Sequence, residues 1–399
     1  MTHDELLLAH KTFLFPAIFH YFEQPLVLER AENQFVYDAA GNQYLDFFGG
    51  IVTVSVGHSN PRVVKAMSDQ MHKLVHVSSC FATEPMVTLA AKLAAISPTP
   101  RGDGKPAKTF FSNSGTEADE TAILAARIYT GSSEIIALRH GYHGRSALAM
   151  GLTGHAAWRL GPATQPGIVH AHNAYCYRCP FGLTYPDCGV RCAHDLAELI
   201  KTSTSGKVAA VLAEPIQGVG GFITPPPEYF KIVAEIVRAH GGLFISDEVQ
   251  TAWGRTGAKW FGIEHWGVEP DIVTSAKGLA NGMPIGTTTA RADVADAMRG
   301  LTISTFGGNP VATAAANAVL DFIESENLLT NTEKVGGYLK AGLEKLQETH
   351  KLIGEVRGKG LLLGVELVRD RRTKEPAAAE TNALLARCRD QRVLVGKGG

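Results

Sequence analysis

The chain has 399 residues, 45% hydrophobic and 19% charged, an ordinary globular balance in more sequence than one core normally supports. A net charge of −1 argues against nucleic acid or an anionic membrane surface as the main partner, and no apolar run approaches the ~20 residues of a membrane helix. Six cysteines are too few for a disulfide scaffold and the acidic opening MTHDELLLAHK lacks a basic n-region, so a cytoplasmic protein with reduced thiols is expected.

In chain order, residues 26–28, 34–37 and 44–47 have strand character around the turn 38–42. His58 precedes a turn and is read as a structural hydrogen-bonding residue. Pro61 opens a helix with apolar residues at Val63, Val64, Met67 and Met71. A second helix is expected over 86–96. From about 108 the pattern alternates: strand 108–111, a helix to about 130, strands 134–138 and 208–213, helix 228–240, then strands 243–245 and 272–274. That alternation predicts an α/β fold with a mostly parallel sheet covered by helices. After 300 come an alanine-rich helix 311–324, a helix 331–349, a strand 361–367, a helix 377–391 and a strand 393–395. These predict a smaller α/β unit completed by the N-terminal strands. The expected division is a large unit over 61–304 and a small one built from 1–60 and 305–399.

Charged residues fall just past several strands, where ligands bind in open α/β sheets. Asp247 follows strand 243–245, Lys277 follows 272–274 and Glu214 follows 208–213. A buried lysine of lowered pKa is a nucleophile. A lysine with a nearby acid suits pyridoxal phosphate, which needs an amine for its aldehyde and an anion beside its ring nitrogen. Ser114, Gly115 and Thr116 form a small-residue turn at a helix start, where unpaired N–H groups and the helix dipole attract a phosphate. The dipole alone contributes only ~0.3–1 kcal/mol, so several donors must act together. Ser114 with Glu117 equally fits a plain capping box. Tyr142, again past a strand, can stack on a planar ring, and Arg145 can hold a carboxylate through a bidentate pair. Each of these residues has an ordinary alternative as a helix cap, a core aromatic, a surface ion pair or a solvated loop charge.

Taken together, SNSGTEADE, GYHGRS, EPIQGVGG, ISDEVQTAWGRTG, AKGLANGMPIG and TFGGNP resemble the class III pyridoxal-phosphate aminotransferases over about residues 35–365. The stretch YLDFFGGIVTVSVGH looks most like alanine–glyoxylate aminotransferases of the mitochondrial type and their bacterial relatives. The resemblance implies fold type I, a homodimer with shared active sites, and small-molecule amino and oxo acids as substrates. It implies that Lys277 carries the cofactor and moves the proton, while Asp247 pairs with the ring nitrogen. Val249 and Tyr142 would cover the two ring faces, and Gln250 would lie near the phenolic oxygen. Ser114, Gly115 and Thr116 would bind the phosphate, which Thr305 would reach from the neighbouring subunit. His143 joins the implied cofactor contacts, and Ile51, Arg145 and Glu214 the implied substrate contacts.

In that family Glu214 often pairs with an arginine of a C-terminal R-I-x-P-P motif. The sequence ends at Gly396-Lys397-Gly398-Gly399 before such a motif, so the expectation is either a missing natural tail and an incomplete small unit, or carboxylate binding by Arg145 alone. A phospho-lyase acting on an amino-alcohol phosphate is the alternative within the cofactor class. A metal-binding module with a vestigial site is the alternative outside it. A nicotinamide dehydrogenase is weaker, because Gly218-Val219-Gly220-Gly221 lacks the strand–turn–helix fingerprint. No catalytic metal is assigned. Cys176, Cys179, Cys188 and Cys192, with His170, His172 and His194 nearby, suit a structural zinc or iron–sulfur site as well as four reduced, packed thiols.

Overall fold

The computed structural model describes residues 1–22, 25–100, 104–161 and 165–398. Fourteen strands are numbered in chain order: β1 Leu28–Glu32, β2 Phe35–Asp38, β3 Gln43–Asp46, β4 Lys108–Ser112, β5 Ile135–Leu138, β6 Ile168–Ala171, β7 Ala210–Ala213, β8 Leu243–Asp247, β9 Ile272–Ser275, β10 Gly286–Ala290, β11 Ile353–Lys359, β12 Leu362–Asp370, β13 Glu375–Pro376 and β14 Val393–Leu394. The central sheet has seven strands in the order β4-β10-β9-β8-β7-β5-β6. β10 runs antiparallel to both neighbours, and the pairs β9–β8, β8–β7, β7–β5 and β5–β6 are parallel.

The two-residue period of a strand explains both faces of this sheet. Ile135 and Ala137 pack into one apolar cluster and Ile136 and Leu138 into the other. Likewise Leu243 and Ile245 join the cluster that holds Ala122, Ile123 and Ala126, whereas Phe244 joins Phe230 and Trp266 on the far side. The helix Gly115–Thr130 covers the first face, and Tyr229–Ala239 and Pro310–Ser325 supply side chains to the second. A fully buried side chain of this kind contributes about 1.5–3 kcal/mol. The result is one rigid frame for the strand ends.

Both chain ends meet in a second sheet, β1-β2-β3-β14, where Val393 and Leu394 pair in parallel with Leu45 and Asp46. A third sheet, β11-β12-β13, lies beside it in sequence. The helix Pro61–Lys73 opens at the proline read for it, and the second helix, Glu84–Ile96, starts two residues before the expected 86. His58 Nε2 lies 2.8 Å from Asp46 Oδ2, the structural role read for it. Gly399 falls outside the described residues.

Some elements depart from the sequence reading. The first strand is 28–32 rather than 26–28, with Leu26 instead packed under the β2–β3 hairpin. β6, β10, β11 and the helix Arg191–Ser203 were not anticipated. β10 reads as polar, yet Thr287, Thr288 and Thr289 are buried. Their hydroxyls meet Ser275 Oγ at 2.5 Å, Ala118 O at 2.8 Å and Thr109 Oγ1 at 2.9 Å, so β-branched geometry could be used without stranding a polar group.

Candidate active site

Strand geometry decides which charges converge. Asp247 ends β8 two residues after Ile245, so it faces the helix Gly115–Thr130. Thr274 on β9 faces the same way, and Thr274 Oγ1 donates to Asp119 Oδ1 at 2.6 Å from that helix's second turn. His143 enters from the turn after β5 and places Nδ1 2.7 Å from Asp247 Oδ2 and 4.0 Å from Asp119 Oδ2. A carboxylate only accepts, so Nδ1 carries the proton and fixes the tautomer. His143 Nε2 is buried with no partner among the described residues. The other oxygen of Asp247, Oδ1, accepts from Val249 N at 3.0 Å. Burial, and then the neighbouring charge of Asp247, push the Asp119 carboxyl well above the usual carboxylate range.

Lys277 opens a single turn just past β9, half-buried, with a left-handed φ of 45°. Few lysines adopt that conformation, and such strain persists only where packing over-determines it. Here Gly278 is seated so tightly that a Cβ would lie 2.2 Å from Ser55 Oγ. Burial lowers the Lys277 amine to about 8, against the opposing pull of Asp247, Glu214 and Asp119. Glu214, just past β7, accepts from Tyr142 N and Gly218 N, each at 2.9 Å. Burial, with Asp247 next in weight, raises it to about 7.

At the start of the helix Gly115–Thr130, Ser114 Oγ accepts from Glu117 N at 3.2 Å. The return arm of the expected capping box is displaced by one residue, because Glu117 Oε2 accepts from Asn113 N at 3.0 Å rather than from Ser114 N. The Gly115 and Thr116 N–H groups stay without an intrahelical acceptor. Gly115 lets Val249 close in, since a Cβ there would sit 2.9 Å from Val249 Cγ2. Gly218 does the same for Gln250, at 2.1 Å from Oε1. Tyr142 is half-buried and edge-on to Trp158 at 5.5 Å.

The donor set fits pyridoxal phosphate: a depressed amine, a buried carboxylate, free helix N–H groups and an aromatic side chain on adjacent strand ends. A family model described as aminotransferase class-III matches residues 20–399. The chain is a class III aminotransferase. It is similar to "Alanine--glyoxylate aminotransferase 2 homolog 2, mitochondrial" of Arabidopsis thaliana, 43% identical over 99% of this chain and 81% of the relative. It is also similar to a leucine/methionine racemase of Thermococcus litoralis, 40% identical over 96% of this chain and 86% of the relative. Among solved structures, a PLP-bound amine transaminase from an uncultivated Pseudomonas species superposes with a TM-score of 0.89, at 31% identity over 97% of this chain and 92% of that one. Pyridoxal phosphate is the cofactor of this aminotransferase, and the fold is the α/β fold type I. No described helix is long and apolar enough to cross a membrane.

Of the residues singled out in sequence, the aminotransferase brings Ser114, Thr116, Tyr142, His143, Glu214, Asp247, Val249, Gln250 and Lys277 around one set of strand ends. Arg145 is exposed, with its backbone N donating to Thr116 Oγ1 at 3.4 Å and its charge felt by the Tyr142 phenol. Ile51 sits in a left-handed turn, φ 64°, whose following segment is tied to the site by Asn281 Oδ1, 2.9 Å from Ser55 N. Thr305 is exposed, and its neighbour Ser304 accepts through Oγ from Asn113 Nδ2 at 3.3 Å. Sequence reasoning missed Asp119 and Glu248. Asp119 was hidden because a helical acid normally reads as a solvated face, although Ala118 and Ala122 beside it marked that face as buried.

Proposed function

We propose that this aminotransferase moves the amino group of alanine, β-alanine or another ω-amino acid to a 2-oxo acid such as glyoxylate, pyruvate or 2-oxoglutarate. The observation that carries the reading is Lys277, an amine held near 8 at a strand end where Asp247 and Glu214 converge. Bound pyridoxal phosphate supplies an aldehyde that condenses with amines and a ring that accepts electrons. Lys277 Nζ would hold the cofactor and, once displaced by the substrate amine, would take the proton from the substrate carbon as general base and deliver it as general acid to the former aldehyde carbon of the cofactor. Asp247 keeps the ring nitrogen protonated, and His143 fixes the orientation of that carboxylate from behind. Ser114, Gly115 and Thr116 bind the phosphate, Val249 and Tyr142 cover the ring faces, and Gln250 reaches the phenolic oxygen. Arg145 takes the substrate carboxylate, with Ile51 and Glu214 lining the approach. The two oxygens of Glu214 are already engaged by Tyr142 N and Gly218 N, which leaves Arg145 as the carboxylate partner in this reading.

The enzyme acts as a homodimer in which Thr305 reaches the partner's phosphate. Support comes from an open apolar patch next to Thr305: Phe306 is 60% exposed and lies 5.1 Å, ring to ring, from His76. A reducing, cytoplasmic setting fits six free cysteines. The test is Lys277→Ala, which abolishes both turnover and the cofactor fixed to protein by borohydride; retained turnover refutes the assignment. Bleaching of the bound chromophore by alanine, β-alanine, 4-aminobutyrate and ornithine then identifies the donor. Release of an oxo acid from the donor separates transfer from racemisation.

A further inference from the structure

The loop of residues 172–190, between β6 and the helix Arg191–Ser203, has no part in the site above. Its outer side grips the three-stranded sheet. Tyr175 Oη donates to Glu366, Arg178 Nε donates to Glu366 Oε1 at 2.5 Å, and Arg357 ties the same carboxylate to Gly221 O at 2.8 Å. Its inner side holds four cysteines in two pairs. Cys176 and Cys179 flank one short turn, and Cys188 and Cys192 flank the start of the following helix. All four line a single cavity of about 10 Å³. That space is about one water-sized sphere, the scale of a single ion.

We propose that Cys176, Cys179, Cys188 and Cys192 bind one structural Zn²⁺ as a closed four-thiolate site that pins the loop and so its grip on β11 and β12. The spacing of two residues in the first pair and three in the second matches thiolate sites built from two turns. Zn²⁺ supplies positive charge to four thiolates, and binding releases up to four protons to solvent as four Zn–S bonds of about 2.3 Å form. Among the described residues no three of the four sulfurs lie within 4.8 Å of one another, so binding requires the two turns to close on the ion. Cys176 is exposed and provides the way in. The site is independent of the transaminase reading, because no cysteine touches Lys277, Asp247 or their partners.

The experiment is metal analysis of the purified holoenzyme together with its cofactor content. About one zinc per chain is expected, and cobalt exchange gives the visible bands of a tetrahedral thiolate complex. Cys176→Ser with Cys179→Ser loses the zinc and lowers the melting temperature by several degrees, while cofactor uptake per folded chain stays near that of the parent. Should that double variant not fold, chelation of the parent enzyme serves: zinc loss lowers the melting temperature and zinc alone restores it. Zinc below a tenth of an equivalent after growth with added zinc overturns the proposal. Zinc undiminished by the double substitution does so too, as does iron with acid-labile sulfide at this loop. Loss of activity in Lys277→Ala leaves the zinc unchanged, so the two readings fail separately.

Discussion

Lys277 shows how much a single residue's surroundings decide. The reactive form of an amine is the neutral one, and burial brings this amine to about 8 from the ordinary lysine value. At pH 8 roughly half of it is therefore reactive, against well under 1% for a solvated lysine. Covalent capture of pyridoxal phosphate by the apoenzyme is expected to accelerate as pH rises through about 8 and to level off above it, followed by stopped-flow absorbance. The charge of Glu214 favours the protonated amine, so Glu214→Gln moves the midpoint downward; a midpoint that stays or rises contradicts this account. Arg145 gives a second prediction. Loss of a charge-assisted pair with a carboxylate costs about 1.5–3 kcal/mol, so Arg145→Ala raises KM for the acid substrates by roughly 10- to 150-fold with a much smaller change in kcat. Equal KM values in parent and variant remove Arg145 from substrate binding. Lys277, Asp247 and Glu214 were legible in the sequence because each follows a short apolar run, and a strand end is a place with a chemical meaning. Asp119 was not, because its significance lies in Thr274 and His143, which only the folded sheet brings to it.

At the scale of elements, most of the strand–helix alternation from 108 to 275 could be read because β5 and β7 are unbroken apolar runs and β8 and β9 open on apolar residues. β10 and β11 escaped for opposite reasons. β10 hides buried threonines behind a polar composition, and β11 alternates glycines and charges while only Ile353 and Gly358 are buried. The turn after β8 shows a related device. Glu248, on the face opposite Asp247, is fully buried. Its carboxyl accepts from Gly262 N and Ile263 N, each at 2.8 Å, from Ser246 Oγ at 3.2 Å, and from Thr251 Oγ1. It thereby closes the loop of residues 249–261 that carries Val249 and Gln250. Removing this acceptor strands two buried N–H groups at about 1–3 kcal/mol each. Glu248→Ala is therefore expected to lose about 3–5 kcal/mol in denaturant unfolding and to bind cofactor poorly, and Glu248→Gln, which keeps one carbonyl acceptor, to lose markedly less. Similar stability for both variants means that the carboxyl does not organise the loop.

For the whole molecule, the joining of β3 and β14 means that residues 348 positions apart in sequence (Leu45 and Val393) share one small sheet, so both chain ends are committed before that part of the enzyme is complete. Thr305 is exposed, and in the proposed dimer each Thr305 serves the other subunit's phosphate. The test is complementation. Thr305→Glu sets a carboxylate against a phosphate, and repulsion of several kcal/mol lowers cofactor affinity by about 100-fold or more. Lys277→Ala retains the parent Thr305 but has no amine. In a mixed dimer with sites shared across the interface, one site takes Lys277 from the first variant and Thr305 from the second, and is fully intact. Its companion site carries both lesions. If Thr305 served its own subunit, every site would carry one lesion. Unfolding and refolding the two variants together is therefore expected to restore activity at low cofactor concentration, towards a quarter of the parent value for random pairing. Recovery no greater than that of the separately refolded variants refutes the shared site.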